Sequence, residues 1–343
     1  MLKQKAIIDL RSDTVTQPDA AMLNAMLEAK VGDDVFNEDP TINLLQQKCA
    51  QMFGMESALF CASGTMTNQL AIKAHTQPGD ELICDRNSHI YHYENAGIAF
   101  NSGVQSRLVD GNRGRMTAEQ IQEVINTDLD WLANTSLVCL ENTVNKAGGS
   151  FYRLSDIHPI REVCKKNDLK LHLDGARLFN ALTETGDSTT EYGKTFDSIS
   201  ICLSKGLGAP FGSVIIGNRD FIKRCRRIRK SIGGNMRQAG YFAAAGIYAL
   251  ENNIQRLLQD HKNARKLSET LLQCSFVKNI LPVETNIVIF DLNERLSYDE
   301  FEEKMHHSGI RFSRFGPKTI RFVTHLDFRE EMLCDVTETL LKI

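Results

Sequence analysis

Short apolar runs alternate with longer stretches of helical spacing from about residue 56 to 217. The runs cover 58–61, 81–84, 137–140, 169–173, 198–203 and 213–216. Apolar runs separated by amphipathic crossovers predict an α/β domain: a mostly parallel sheet flanked by helices. Residues 66–75 read as one of those helices, with Leu70, Ala71 and Ala74 on one side.

Beyond this region, 238–260 reads as one long helix, rich in alanine near its start. Residues 286–292 and 319–324 read as strands, and Ser297-Tyr298-Asp299-Glu300 reads as a capping box opening a helix that ends before Gly309. The expected organisation is a large domain over 1–250, with an amino-terminal arm, and a small C-terminal α+β domain over 251–343 that leans on it.

Composition narrows the function classes. The chain has 343 residues, 42% of them hydrophobic, and a formal charge of -3, which suits a soluble globular protein and gives no bias toward nucleic acid. The basic run Lys223-Arg224-Cys225-Arg226-Arg227-Ile228-Arg229-Lys230 carries Phe221, Ile222, Cys225, Ile228 and Ile232 at helical spacing, so it reads as an amphipathic helix with a charged outer face. Aromatic interleaving of the kind a single-strand binder needs is missing from it. Nine cysteines, odd in number and never spaced Cys-x-x-Cys, read as reduced core thiols without a metal knuckle, which suits a cytoplasmic protein. The polar start at 1–5 lacks a signal peptide's apolar core, and no stretch is long enough to span a bilayer.

Lys205 carries the most chemistry. The alternating strand ahead of it breaks into Lys205-Gly206-Leu207-Gly208-Ala209-Pro210-Phe211-Gly212, a glycine-rich turn. A lysine delivered by a strand into a confined loop can lose its proton and attack a carbonyl; more often it is a solvated strand-end charge. The preceding strand, however, ends on Asp174-Gly175-Ala176-Arg177. In an open α/β sheet the ligand crevice lies outside the carboxyl ends of the strands, so Asp174 and Lys205 face one molecule from two sides. Pyridoxal 5'-phosphate needs such a frame: an amine for its aldehyde and a carboxylate for its ring nitrogen. Ser63-Gly64-Thr65, between an apolar run and a helix, suits the phosphate, because free amides and the helix dipole meet there. A plain helix cap by Ser63 or Thr65 is the duller alternative.

The chain resembles the low-specificity L-threonine aldolases, fold-type I enzymes of the β-eliminating lyase group. The matching segments include Ile8-Asp9-Leu10-Arg11-Ser12-Asp13-Thr14-Val15-Thr16, Val31-Gly32-Asp33-Asp34-Val35, Glu38-Asp39-Pro40-Thr41, Asp174-Gly175-Ala176-Arg177, Gly233-Gly234-Asn235-Met236-Arg237-Gln238 and Arg321-Phe322-Val323-Thr324-His325. The resemblance implies a Schiff base at Lys205, Asp174 on the pyridinium, and His89 on the ring face. It implies phosphate binding by Gly64 and Thr65, joined from a neighbouring subunit by Lys230 or Arg237. Ser12, Arg177 and Arg321 would surround the substrate carboxylate, Arg177 also reaching the cofactor's phenolic oxygen, in a homo-oligomer, a dimer of dimers, with active sites at subunit interfaces. Each of these residues also has a duller reading: His89 in a polar turn, Arg177 bracing Asp174, Arg321 exposed on a strand, Ser12 capping a turn.

The sequence departs from the family pattern twice, with Val144 and Trp131 at positions where the family often carries histidine. An indole cannot accept a hydroxyl proton, so His89 or a water becomes the better base. Aminotransferases and β-eliminating lyases share the lysine, aspartate and phosphate loop and stay open as alternatives, as does a non-catalytic pyridoxal-binding regulator. A dinucleotide reading of the glycine turn is weaker, since its spacing is not Gly-x-Gly-x-x-Gly.

Overall fold

The computed structural model describes residues 7–343, so the polar start at 1–5 lies outside it. Seven strands form the large sheet: β1 (Ser57–Cys61), β2 (Glu81–Asp85), β3 (Gln105–Val109), β4 (Thr135–Glu141), β5 (Lys170–Gly175), β6 (Ser198–Cys202) and β7 (Ser213–Gly217). Their order is β1-β7-β6-β5-β4-β2-β3, and only β7 runs antiparallel to its neighbours. Every residue of β2, β6 and β7 is buried, which is why β2 and β7 show in the sequence as apolar runs, while in β6 the small Ser198 and Ser200 alternate with isoleucine. Strand β3 escaped that reading: it is an edge strand, and Gln105, Ser106 and Arg107 leave it too polar.

Two helix expectations need correction. The stretch 238–260 is two helices, Gly240–Asn252 and Leu257–Leu271. At the break, the Asn253 amide donates to the Leu207 carbonyl at 2.8 Å and Arg256 donates to the Gly206 carbonyl at 3.1 Å, so these side chains brace the loop after Lys205. The helix Arg219–Ser231 is amphipathic as expected, but Arg229 does not belong to its charged outer face. One turn beyond Cys225, it is fully buried, with Nη2 2.5 Å from Asp34 Oδ2 and Nη1 donating to the Phe60 carbonyl at 2.6 Å. The pairing acid comes from the Asp33-Asp34 segment. Asp39 is likewise scaffold: it caps the helix Pro40–Phe53 and accepts from the Gly240 N–H at 3.0 Å.

A second, antiparallel sheet has the order β10-β11-β9-β8, from β8 (Val277–Ile280), β9 (Ile287–Leu292), β10 (Ser313–Arg314) and β11 (Thr319–Val323). The helix Tyr298–His307 opens with the expected capping box between Ser297 and Glu300. Ile8–Asp9 pairs in parallel with Ile310–Arg311, and Ile8 and Leu10 sit in the apolar cluster of Phe290, Phe301 and Phe322. The next residues, Arg11-Ser12-Asp13, are thereby carried to the edge of the large sheet. Among the described residues, no helix is long and apolar enough to cross a membrane. All nine cysteines are free, and only Cys334 is exposed.

Candidate active site

Strands β1, β2, β4, β5 and β6 all end at the same edge of the large sheet; Gly64, His89, Asp174 and Lys205 lie at or just past those ends, while Ser12 comes from the segment after Ile8–Asp9 and Arg321 from β11. Strand register sets Glu141 beside Asp174 and Asp174 beside Ser200. Three residues past β6, Lys205 enters a turn closed by Gly208 N–H donating to its carbonyl at 2.8 Å. Gly208 and Gly212 have φ of +82° and +101°, which a side chain would oppose, so the loop needs glycine to reverse into β7. The Lys205 ammonium reaches Cys202 Sγ at 3.5 Å.

A cavity of about 400 Å³ opens over this edge, lined among others by Ser12, His89, Tyr93, Asn145, Arg177, Lys205, Phe315 and Arg321. Ser12, His89, Arg177, Lys205 and Arg321, all singled out in the sequence, thus share one space. Asp174 lies just beneath it, buried, with a carboxylate oxygen within 4.8 Å of both a His89 ring nitrogen and Glu94. Its oxygens accept from the Ala176 N–H at 3.1 Å and the Asn68 amide at 2.9 Å. His89 Nδ1 lies 3.0 Å from Glu94 Oε1, and a carboxylate there makes Nδ1 the protonated nitrogen, leaving Nε2 with its lone pair free. Burial works against a charged His89, yet Glu94, with Asp174 and Glu141, raises its pKa above the usual value. The same crowding of acids acts on Glu141: burial, then the Asp174 charge, pushes it up to about 7. Its two oxygens accept from the backbone N–H groups of His89 (2.7 Å) and Asn145 (2.9 Å), fixing two parts of the cavity wall.

The arginines differ in their state. Arg177 is buried and held by Asp13, with Nε on Oδ2 and Nη2 on Oδ1, both at 2.7 Å. Burial raises the Asp13 pKa, but the Arg177 charge and hydrogen bonds outweigh it and hold it at about 2. Arg177 Nη1 has no partner among the described residues. Arg321 donates to Asn145 Oδ1 at 2.7 Å and to the Arg11 carbonyl at 2.9 Å, lies 4.8 Å over the Phe315 ring, and leaves Nε buried without a partner. It has no carboxylate partner among the described residues, and burial together with the Arg177 charge pushes its pKa down to about 10. Ser12 Oγ accepts from the Thr14 N–H (3.2 Å) and hydroxyl (2.8 Å), so it caps a turn as well as lining the cavity.

Ser63 caps the helix Gly64–His75 by accepting from the Met66 N–H at 3.2 Å, leaving the amides of Gly64 and Thr65 at the helix start. A Cβ added at Gly64 would sit 2.6 Å from Cys202 Sγ, so this helix start presses directly on the Lys205 strand. Lys230 and Arg237 are exposed and do not line the cavity of their own chain; Arg237 pairs with Asp33 at 2.8 Å. Neither departure from the family pattern faces it either. Val144 is fully buried, and Trp131 is 77% exposed on a loop.

The beta-eliminating lyase model matches residues 9–295. The chain belongs to the beta-eliminating lyase family. Within it, the chain is 41% identical to low-specificity L-threonine aldolase 1 of Arabidopsis thaliana, over 93% of this chain and 91% of the plant protein. It is 40% identical to the low specificity L-threonine aldolase of Escherichia coli K12, over 96% of this chain and 97% of that one. Among solved structures, Leishmania major threonine aldolase superposes with a TM-score of 0.84 at 20% identity, covering 98% and 99% of the two chains. The fold is therefore fold type I of this lyase family.

Several residues that build the site of this family member were missed in the sequence. Asp13 was read only as a neighbour of Ser12. Glu94 and Glu141 gave no signal, since an acid in a turn or at a strand end is ordinarily solvated. Asn68 did leave one: it is a polar residue three and four positions ahead of buried Ala71 and Ile72, on the helix face that meets the sheet.

Proposed function

We propose that this chain is a pyridoxal 5'-phosphate-dependent aldolase that cleaves L-threonine and L-allo-threonine, and β-hydroxy-α-amino acids like them, to glycine and an aldehyde. The observation that carries the reading is the unmet positive charge at Arg321 beside Lys205. A buried guanidinium without a carboxylate, with an orphaned Nε, wants an anion, and an amino acid's carboxylate fits the fork. The donor set also suits the cofactor: an amine, a buried acid, a helix start lacking a Cβ, and an imidazole beside the acid.

When bound, pyridoxal phosphate supplies a carbonyl for amines and a protonated ring that takes up an electron pair. Lys205 would be the amine that holds it, and Asp174 the carboxylate that keeps its ring nitrogen protonated. Ser63, Gly64 and Thr65 take the phosphate, with Lys230 or Arg237 reaching it from a neighbouring subunit of a homo-oligomer in the cytoplasm. His89, which lines the cavity beside Asp174, would lie against the ring. Ser12, Arg177 and Arg321 grip the substrate carboxylate, and this fixes rotation about the Cα–N bond so that Cα–Cβ, not Cα–H, is the bond aligned for cleavage. His89 Nε2 accepts the β-hydroxyl proton as that bond breaks. The large unit, up to about residue 250, carries Lys205 and Asp174, and the small unit contributes Arg321.

The test is to incubate purified protein and cofactor with threonine or allo-threonine and follow glycine and acetaldehyde together. Equal amounts of both are expected; consumption of a keto acid instead would mark an aminotransferase. Lys205→Ala should lower the rate by orders of magnitude, each tenfold being about 1.4 kcal/mol of barrier. Near-normal cleavage in that variant would remove Lys205 from the reaction.

A further inference from the structure

Asp174 does not stand alone under the cavity. The two hydrogens of the Asn68 amide are divided between two buried carboxylates, Asp174 Oδ2 at 2.9 Å and Glu94 Oε1 at 2.9 Å. Both acceptors lack hydrogens when ionised, so the amide nitrogen must face them and Asn68 Oδ1 must turn the other way. There it meets His172 Nε2 at 3.3 Å. His172 Nδ1 lies 2.8 Å from Ser198 Oγ, and Ser198 Oγ lies 2.8 Å from His75 Nε2. Asn68, His172 and Ser198 are all buried.

The chain of partners reads in only one sense while the histidines are neutral. His172 Nε2–H donates to Asn68, Ser198 O–H donates to His172 Nδ1, and His75 Nε2–H donates to Ser198. Burial pushes His172 down to about 4 and His75 down to about 3, so near neutral pH no cation enters the chain. This matters for Asp174. A lysine or arginine in place of Asn68 would cancel the carboxylate's charge, whereas an amide orients it and leaves the charge for whatever binds above.

We propose that Asn68, turned by His172, is a positioning residue that aims the Asp174 carboxylate at the cofactor's ring nitrogen and keeps it apart from Glu94. The inference rests on the pyridoxal phosphate reading above. It concerns residues that touch Asp174, not the cofactor, so its signature is selective: removing Asn68 weakens only the part of binding that passes through the ring nitrogen.

The experiment compares reconstitution of the stripped full-length chain with pyridoxal phosphate and with its analogue bearing carbon in place of the ring nitrogen, followed by absorbance of the bound cofactor. For Asn68→Leu, affinity for pyridoxal phosphate should fall by roughly tenfold or more, the size of a lost hydrogen bond to a charged group, while affinity for the analogue stays within about twofold. His172→Leu should reproduce the selective loss, and His172→Gln, which restores a neutral donor, should recover most of it. The histidine pair keeps the test usable if Asn68→Leu fails to fold. Equal loss for both cofactors, or no loss for either, overturns the positioning role. Failure of the unaltered chain to bind pyridoxal phosphate at all would instead remove the parent reading, and this inference with it.

Discussion

Asp13 and Arg177 lie 164 residues apart in sequence and form a two-pronged ion pair, each prong at 2.7 Å, with the Asp13 side chain wholly buried. The pair holds two of the guanidinium's nitrogens and fixes Arg177 in the cavity wall. Asp13→Asn leaves a buried charge without its partner, which costs about 3–5 kcal/mol of folding stability. Its pKa also sets an acid limb. With a folded value of about 2 against an ordinary 3.8, the pair's contribution is present above about pH 3.8 and lost as pH falls through about 2. Urea unfolding of the two proteins across that range should show the limb in the parent chain and none in the variant.

Glu141 gives a slope of the opposite sign. Its folded pKa of about 7 lies above the ordinary 4.5, so folding is favoured by the neutral form, and stability falls as pH rises from about 4.5 through about 7. In the cofactor-free chain, Glu141→Gln should flatten this slope whatever constant offset the lost acceptor brings. An unchanged slope would show that another group titrates there.

The proton-accepting role given to His89 predicts an acid limb in kcat/KM with a midpoint above 6.5, because Glu94 and its acidic neighbours favour the charged ring. His89→Phe keeps a flat ring but no acceptor. Activity should drop roughly 10²–10⁴-fold and the limb should vanish. A limb persisting in the variant would assign the base to another group.

The contact between the helix start and the Lys205 strand can be tested by a reversal. Gly64→Ala places a methyl group 2.6 Å from Cys202 Sγ, so it should displace the helix start and weaken cofactor binding. Adding Cys202→Ala removes the sulfur and should restore much of the affinity, a coupling that a double-mutant cycle measures directly. Purely additive effects would place the damage elsewhere.

What could be read from the sequence follows from distance along the chain. Lys205 and Asp174 were legible because each lies at or just past the end of a largely buried strand, where a charged group is conspicuous. The large-sheet strands were legible for the same reason, apart from the polar edge strand β3. Asp13 and Glu94 were not, and Asn68 only as a polar position on a buried helix face: their meaning lies in partners brought near by folding, 164 residues away for Asp13 and 106 for Asn68 with Asp174. Arg229 shows the same limit in the scaffold. Its place in the basic run 223–230 hides it, although it stands one turn past Cys225 on the apolar side, and the buried Asp34 opposite is the partner that lets a guanidinium sit there. The broken helix at 253–256 was hidden because what Asn253 and Arg256 hold in the loop after Lys205 is backbone carbonyls, which leave no trace in composition.

The parallel pairing of Ile8–Asp9 with Ile310–Arg311 ties the first described strand to one near the far end of the chain. Ser12 and Asp13 ride on the first, and Arg321 follows the second. During vectorial synthesis the β-sheet edge with Lys205 has left the ribosome well before residue 310 appears, so the side of the cavity that carries Ser12 and Arg321 is completed only after it, by the contact between Ile8–Asp9 and Ile310–Arg311. A nascent chain holding every strand of the large sheet is still without Arg321 and the Ile310–Arg311 partner that anchors the first strand.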